Sequence, residues 1–338
     1  MKKILCVSLL IATILTPTIT GCTNGNIMDQ YKQALEQTEK IQRSSELVEF
    51  TMDLDLSSLD LTLEEKKQLD MFSNIKGSFV AKHDKEKGIS FLDGHIEMKN
   101  LGFDVKIYED QETIVTLMPI FSKYMVIHKD QDQSSFEKNL PVIQIDQKEI
   151  KSLWNNMTTK SSIQNLGNKM VSTTEGEIRA TAFEVTLQDA EIKEFAKAII
   201  QIALKDPETK KSFMKFINEM PQGEKFEYAL RTDEDFEEFL GYMEKGIDQM
   251  KINEFRHTGS FDKDHYIIEE NVRLNYAVEV GPSEDIQVSY NIQVTRWNIN
   301  KSFDFEMPVL TKENSFTVDQ LNENTPKLIE DLLKSPKK

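Results

Sequence analysis

The chain has 338 residues and an acidic excess, with 57 aspartates and glutamates against 41 lysines and arginines and a formal net charge of −16 at pH 7. This balance argues against a nucleic-acid partner, because basic patches supply most of the affinity for phosphate backbones. It also argues against electrostatic docking on anionic lipid heads. Beyond its N-terminus the chain has no apolar run of membrane length, and its apolar content is ordinary for a globular protein.

The N-terminus has the pattern of a secretory signal over residues 1–21. Two lysines precede the apolar stretch 4–15, which is shorter than the roughly 20 residues that span a bilayer. The small residues Thr20 and Gly21 then precede Cys22. This ending resembles the bacterial lipobox. The alternative is an ordinary cleaved signal followed by an incidental cysteine.

The lipobox resemblance implies a lipid anchor on Cys22. In such proteins the cysteine thiol receives a diacylglyceryl group, the signal is cut just before it, and the cysteine becomes the new N-terminus. Two acyl chains anchor a protein stably, whereas one binds marginally. We therefore expect the membrane as a partner, through the diacylglyceryl anchor, and a location on the extracytoplasmic face of the cell membrane. The other cysteine, Cys6, lies within the signal, so the mature chain has no thiol for a zinc site or a disulfide.

The first half of the body changes from a helical to a strand pattern. Residues 29–43 carry apolar residues near one helical face, and the next segment alternates apolar Phe50, Met52 and Leu54 with polar residues. Such alternation predicts a strand with one wet face. Further strands, joined by turn signals, are predicted at 75–83, 89–99, 102–109, 113–118 and 124–128.

The second half contains a helical block between two sets of strands. A loop at 129–141 and a short helix at 147–157 precede a hairpin around Gly176. Three helices over 189–250 have capping signals at Asp189, at Asp206 followed by proline, and at Thr232. Two long strands then form a hairpin, whose first strand is apolar on one face except for Glu270. Residues 318–338 are expected to form a final helix and tail.

These elements predict an α+β fold: a large curved antiparallel sheet, a half-barrel of roughly 11 strands, with helices packed on its concave face. One face of the sheet is apolar and needs a cover, and the helices are the available cover. No linker divides the body, so we expect one domain over 30–317, after a tether at 22–29.

The organisation resembles the LolA/LppX-like (LprG-like) lipoprotein superfamily. The lipobox at Cys22, the helix-to-strand passage "YKQALEQTEKIQRSSELVEFTMDLDL", the hairpin "MPIFSKYMVI" and the closing "WNINKSFDFEMP" carry the resemblance. It implies a half-barrel with helices over the concave face and, for several members, a lipidated cysteine and the carriage or sensing of acyl chains. The helical block is longer than the family usually carries, which leaves open whether the concave face is open or filled.

A set of apolar residues is the candidate ligand site. Pockets for apolar ligands are lined mainly by such side chains, and methionine adapts to variable guests. The alternative is that the same residues simply form a filled core. The candidates are Met118, Phe121 and Tyr124 of the hairpin, with Phe195, Ile199, Phe213, Phe216 and Met220 of the helical block.

Two functions of different classes remain open from the sequence. The first is a surface lipoprotein that binds a lipid or another apolar ligand. The second is an envelope lipoprotein with a filled core that binds a protein partner. We expect no enzyme, because no nucleophile–base constellation, phosphate loop or dinucleotide fingerprint is present. The five histidines show no metal-ligand spacing, so we expect neither a metal nor a cofactor.

Overall fold

The computed structural model describes residues 27–70, 72–99, 101–119, 122–129, 147–158, 162–219, 232–281, 284–317 and 320. The predicted signal, Cys22, most of the tether and the segment from residue 321 onwards lie outside this part of the chain. Among the described helices, none is long and apolar enough to cross a membrane.

Six helices are described. They are α1 (Ile27–Glu39), α2 (Leu63–Asp70), α3 (Gln147–Met157), α4 (Asp189–Lys205), α5 (Pro207–Glu219) and α6 (Asp233–Gln249). The predicted capping signals explain two of the starts. Asp206 accepts the N–H of Thr209 at 2.7 Å, and Thr232 accepts the N–H of Asp235 at 3.1 Å. The helical block therefore begins and ends close to the predicted bounds.

In the described part of the chain, twelve strands form one sheet. They are β1 (Arg43–Asp55), β2 (Asn74–Asp84), β3 (Ile89–Met98), β4 (Leu101–Glu109), β5 (Thr113–Met118), β6 (Lys123–His128), β7 (Ile163–Thr173), β8 (Gly176–Thr186), β9 (Met250–Phe261), β10 (Ile267–Gly281), β11 (Glu284–Trp297) and β12 (Ser315–Thr317). Their order is β12-β6-β5-β4-β3-β2-β1-β11-β10-β9-β8-β7. All neighbours are antiparallel except β12, which pairs with β6 in parallel. The predicted α+β fold with a large antiparallel sheet is confirmed, with one strand more than expected.

The two faces of the sheet have different covers. We call the face that packs against the helices the inner face and the opposite one the outer face. Buried residues of α1, α3, α4 and α6 form the main core with inner-face residues of β1 and β7–β11. Phe213 and Ile217 of α5 form a separate small cluster with Phe236 of α6.

A long connection passes over the outer face. After β11 the chain runs from Asn298 to Asn314 without helix or strand. The Nζ atom of Lys82, on the outer face of β2, lies 6.0 Å from the centre of the Phe303 ring. The carbonyl of Asn314 then accepts the N–H of Tyr124 at 2.8 Å, immediately before β12 joins the edge. This crossing brings β12 alongside β6 in parallel.

A bulge in β10 corrects one detail of the predicted alternation. The register of β10 against β9 shifts between Ile267 and Glu269. Ile267 therefore belongs to the main core, whereas Ile268 packs in a small cluster with Val171 and Ala180. Strict alternation in the sequence would place Ile268 and Val272 on one face, but the extra residue turns Ile268 away.

Aromatic rings lie over glycines of the neighbouring strand at the inner face. A Cβ atom added at Gly77 would stand 2.2 Å from the Phe50 ring, and one at Gly94 would stand 2.5 Å from the Phe79 ring. The Phe50 and Phe79 rings are stacked, with centres 6.0 Å apart. The missing side chains let these rings lie flat on the sheet.

We expect Gly94→Ala to destabilise the fold by about 1–3 kcal/mol, the usual cost of overpacking. The added methyl would meet both the Phe79 ring and, at 2.3 Å, the backbone oxygen of Ser78. Gly241→Ala in α6 is the matched control, because its Cβ would have no neighbour within 4 Å. It should stabilise by roughly 0.5–1 kcal/mol through helix propensity. Urea unfolding measures both, and equal effects of the two substitutions would contradict the prediction.

Candidate functional site

The inner face of β1–β6 carries a continuous set of apolar side chains. The register extends one row from Phe50 through Gly77 and Ile96 to Phe103, and the next row from Val48 through Phe79 to Val105. We call this set the apolar strip. All of its members are half-buried, and they are Phe50, Phe79, Leu92, Ile96, Phe103, Val105, Ile107, Ile114 and Ile127.

The described helices leave the strip uncovered. The described helices that pack most extensively on the sheet are α1, α4 and α6, and they pack on β7, β9 and β10, on the other side of β1. Within the described residues of β2–β6, Ile75 is the side chain that packs against the main core. A half-exposed set of this kind marks an interaction or ligand surface more often than scattered apolar residues do.

An open groove lies at the end of the strip where β1 ends and β2 begins. Its volume is about 440 Å³, within the range of roughly 300–1,000 Å³ that is usual for ligand sites. Four of its eight lining residues are leucines and the other four are polar or charged, and we call it the leucine groove. The residues are Leu54, Leu56, Ser57, Leu61, Leu63, Lys66, Asp70 and Ser73.

The opposite end of the strip is polar. An open pocket of about 420 Å³ is lined by His83, Asp84, Lys85, Gly88, Ile89, Ser90, Glu109, Gln111 and Lys129. Glu109 accepts hydrogen bonds from Lys129 Nζ at 2.8 Å and from Ser90 Oγ at 2.7 Å. Burial would raise the pKa of Glu109, but these two donors outweigh it and hold that pKa below its usual value. The strip is therefore amphipathic along its length.

A buried ion cluster lies beside this polar end, on the inner face of β10, β11 and β1. Arg296 stands directly opposite Glu46 in the register, and its Nε donates to Glu46 at 3.3 Å. Its Nη1 donates to Glu270 and, at 3.3 Å, to the carbonyl of Ile267. The exposed fractions of the Glu270 and Arg296 side chains are only 11% and 15%. One guanidinium therefore joins three strands.

The pKa values follow from this geometry. Burial would raise the pKa of Glu270, but the charge of Arg296 and the contact with His257 outweigh it and hold the pKa at about 2. Burial would lower the pKa of Arg296, yet the two carboxylates raise it. Glu270 and Arg296 are therefore both ionised at neutral pH.

His257 extends the cluster into an aromatic environment. It is fully buried, and its Nε2 lies 3.4 Å from Glu270 Oε1, a close contact rather than a hydrogen bond. Neither ring nitrogen has a hydrogen-bond partner among the described residues. The rings of Phe183, Tyr31 and Trp154 surround it at 5.5, 6.3 and 6.3 Å. Trp154 Nε1 donates to the Tyr31 hydroxyl at 3.0 Å, and burial raises the pKa of Tyr31.

A serine and a histidine approach each other near the polar pocket. Ser44 Oγ lies 3.3 Å from both ring nitrogens of His83, but it donates to Glu46 at 2.9 Å. Burial lowers the pKa of His83, partly offset by Glu46. Ser44 is buried and bonded to a carboxylate, so the pair lacks the alignment of a nucleophile and its base. Within the described residues, no group of three His, Cys, Asp or Glu side chains is placed to hold a metal ion.

The structure separates the predicted ligand-site residues. Phe195 and Ile199 are buried in the main core, where the Phe195 ring is 5.2 Å from Trp154. Phe213 belongs to the small cluster of α5 and α6. Tyr124 points to the outer face, with its ring 6.5 Å from that of Tyr108. Phe121, Met220 and the side chains of Met118 and Phe216 lie outside the described part.

The space beneath the helical block is nearly filled. A cavity of about 10 Å³ lies between α4, α6 and the sheet, lined by residues that include Ile192, Ala196, Ile247 and Leu274. That volume holds at most about one water molecule. The described apolar space large enough for a lipid is therefore at the apolar strip and its leucine groove, and not around Phe195 and Ile199.

Comparison with known proteins gives little further information. No family model matches the chain, and no curated protein matches it. Among solved structures, one described as "Lipid-protein interactions in lipovitellin" matches with 7% sequence identity and a TM-score of 0.24. The match covers 79% of this chain and 26% of that chain, so this chain spans about a quarter of its length. A TM-score this low supports no conclusion, and the resemblance to the LolA/LppX-like superfamily stays a prediction.

We expect Glu270→Gln to cost about 3–5 kcal/mol of stability at pH 7, the usual penalty for removing one partner of a buried ion pair. Because the folded pKa of about 2 lies below the ordinary value of 4.5, the wild-type carboxylate stabilises the fold above pH 4.5. This contribution is lost as the pH falls towards about 2. Urea unfolding at pH 7, 4.5 and 3 should show a flatter pH dependence for the variant.

Glu49→Gln is the control, because Glu49 is exposed on the outer face of β1. It should stay within about 0.5 kcal/mol of the wild type at pH 7. An equally stable Glu270→Gln chain would show that the ion cluster contributes nothing.

Proposed function

We propose that this chain is a membrane-anchored envelope lipoprotein that binds a lipid or another apolar ligand along the apolar strip. The observation that carries the proposal is the strip itself. Its side chains share one face of β1–β6, remain half-buried, and are left uncovered by the described helices. The leucine groove at one end and the polar pocket at the other match an amphipathic ligand.

The dimensions of the strip support an acyl chain as guest. On β2, the inner face from Ile75 at the groove end to His83 in the polar pocket, with the strip between them, spans about 26 Å at 3.3 Å per residue. One lipid tail occupies about 15 Å, half of the 30 Å hydrocarbon core of a bilayer. Each buried methylene contributes about 0.8 kcal/mol, so a tail can bind through burial alone. The proposed role needs no catalytic group and no cofactor.

The lipobox at Cys22 supports the anchored location. Ile27, the first residue of α1, follows Cys22 by five residues. An anchor at Cys22 therefore leaves the body close to the membrane. We expect Cys22→Ser to abolish incorporation of labelled palmitate, because no other cysteine follows the predicted signal. Labelling of intact cells measures this, and undiminished labelling of the variant would exclude the anchor.

Native mass spectrometry of the chain from Thr23 onwards tests ligand binding. That chain contains every residue that the structure describes. We expect a stoichiometric lipid that is recovered by solvent extraction, or uptake of an added fatty acid. A chain that carries no lipid and takes up neither fatty acids nor phospholipids would favour the alternative, an envelope protein that binds a protein partner.

We expect Ile96→Glu to reduce fatty-acid affinity at least about tenfold, because a charge in the middle of the strip must be desolvated against the guest. Val80→Glu is the matched control: Val80 is half-buried too but lies on the outer face of β2. Titration with a fluorescent fatty acid measures both, and thermal unfolding verifies that each variant folds. Equal loss of affinity in both variants would place the ligand elsewhere.

A further inference from the structure

Three large apolar side chains are exposed at the end of the molecule that contains the leucine groove. The exposed fractions are 73% for Leu63, 39% for Phe72 and 49% for Leu101. Leu63 lines the groove at the start of α2, Phe72 follows α2, and Leu101 begins β4. An ion pair between Lys99 and Asp70 ties the β3–β4 turn to α2. We call these three residues the apolar rim.

The direction of α1 relates this rim to the N-terminus. Thr38, near the end of α1, accepts the N–H of Ile267 at 2.8 Å, close to where β1 begins. Tyr31, two turns earlier, packs on Phe183. In the sheet, Phe183 is paired with Gly259 and Gly259 with Glu270, and this row of paired residues continues to the middle of β1. The helix therefore runs from the end of β1 towards its beginning. Its first residue, Ile27, lies towards the end that carries the rim.

The length of the tether limits how far this end can be from a bilayer. Five residue steps separate Cys22 from Ile27, and an extended chain covers at most about 18 Å in that number. Ile27 lies one helical turn beyond Tyr31 on the side of the rim, so an anchor at Cys22 favours the rim end over the polar pocket as the part that faces the membrane.

The charge around the rim indicates which interaction with a bilayer is available to it. In the stretch 56–73, four acidic residues outnumber two lysines. Anionic headgroups would not attract this surface. Exposed leucine and phenylalanine side chains instead bind by insertion among the acyl chains, which is independent of headgroup charge.

We propose that the apolar rim docks on the bilayer to which the protein is anchored, so that the leucine groove opens into the hydrocarbon region. This inference rests on the proposed function and adds the route by which an acyl chain reaches the strip. The tail would pass from the membrane through the groove onto the apolar strip, while the polar pocket stays in water. No covalent step is involved.

The test uses the chain from Thr23 onwards, without an anchor, and phosphatidylcholine vesicles in a flotation assay. We expect the triple variant Leu63→Ser, Phe72→Ser, Leu101→Ser to lower the vesicle-bound fraction at least about tenfold. The control is Leu166→Ser with Met170→Ser on the edge strand β7, where exposed fractions are 48% and 51%. It removes two exposed apolar side chains at the β7 edge of the sheet, away from the rim, and should bind vesicles like the wild type.

A second variant avoids dependence on how well the triple variant folds. Leu63→Trp places an indole at a position that is 73% exposed, and its emission should shift to the blue when vesicles are added. Unchanged emission, or equal vesicle binding by wild type and triple variant, would overturn the docking proposal.

Fatty-acid uptake from ethanol, in the absence of vesicles, is measured on the same proteins. Uptake without rim-dependent vesicle binding would overturn the docking inference and leave the proposed function intact. Rim-dependent vesicle binding without any uptake would overturn the proposed function and leave a membrane-docking surface.

Discussion

The ion cluster of Glu270, Arg296 and Glu46 is the constraint on which the rest of the sheet depends. It lies where β10, β11 and β1 meet, in the middle of a 12-stranded sheet. A charge in this place is tolerated only with its partners, so the cluster fixes the relative register of strands that are far apart in sequence. His257 then brings α1, α3 and β8 to the same point through three aromatic rings.

The cluster also lies between two parts of one inner face that are covered differently. Towards β7 the face is covered by helices and filled, with a cavity of only about 10 Å³. Towards β6 the apolar strip stays open. Phe50 and Phe79 lie flat over Gly77 and Gly94 on this side, which gives the strip a smooth aromatic floor. Stability therefore comes mainly from one half of the sheet, and the surface available to a ligand from the other.

Sequence patterns predicted the fold better than the site. Period-two alternation located most strands, and capping signals located the starts of α5 and α6. The helix α2 was missed because few of its residues are apolar, although Thr62 and Glu65 form a capping box. Glu270 stood out as a break in an apolar set, but its partners Arg296 and Glu46 lie on other strands.

The ligand site was expected beneath the helical block because the stripes of these helices are strongly apolar. Which part of the inner face stays uncovered depends on tertiary contacts, which sequence periodicity does not contain. Gly77 and Gly94 were the local sequence signal for the open part.

The place of β1 determines the order in which this chain can assemble. Its neighbours in the sheet are β2, next in sequence, and β11, whose Trp297 pairs with Ser45. An emerging chain therefore carries a central strand with one unpaired edge until almost all residues have been synthesised. Closing so long a loop is slow, and an unpaired edge is prone to pair wrongly in the interval. The strand order itself therefore sets how long the edge of a central strand stays exposed while this chain folds.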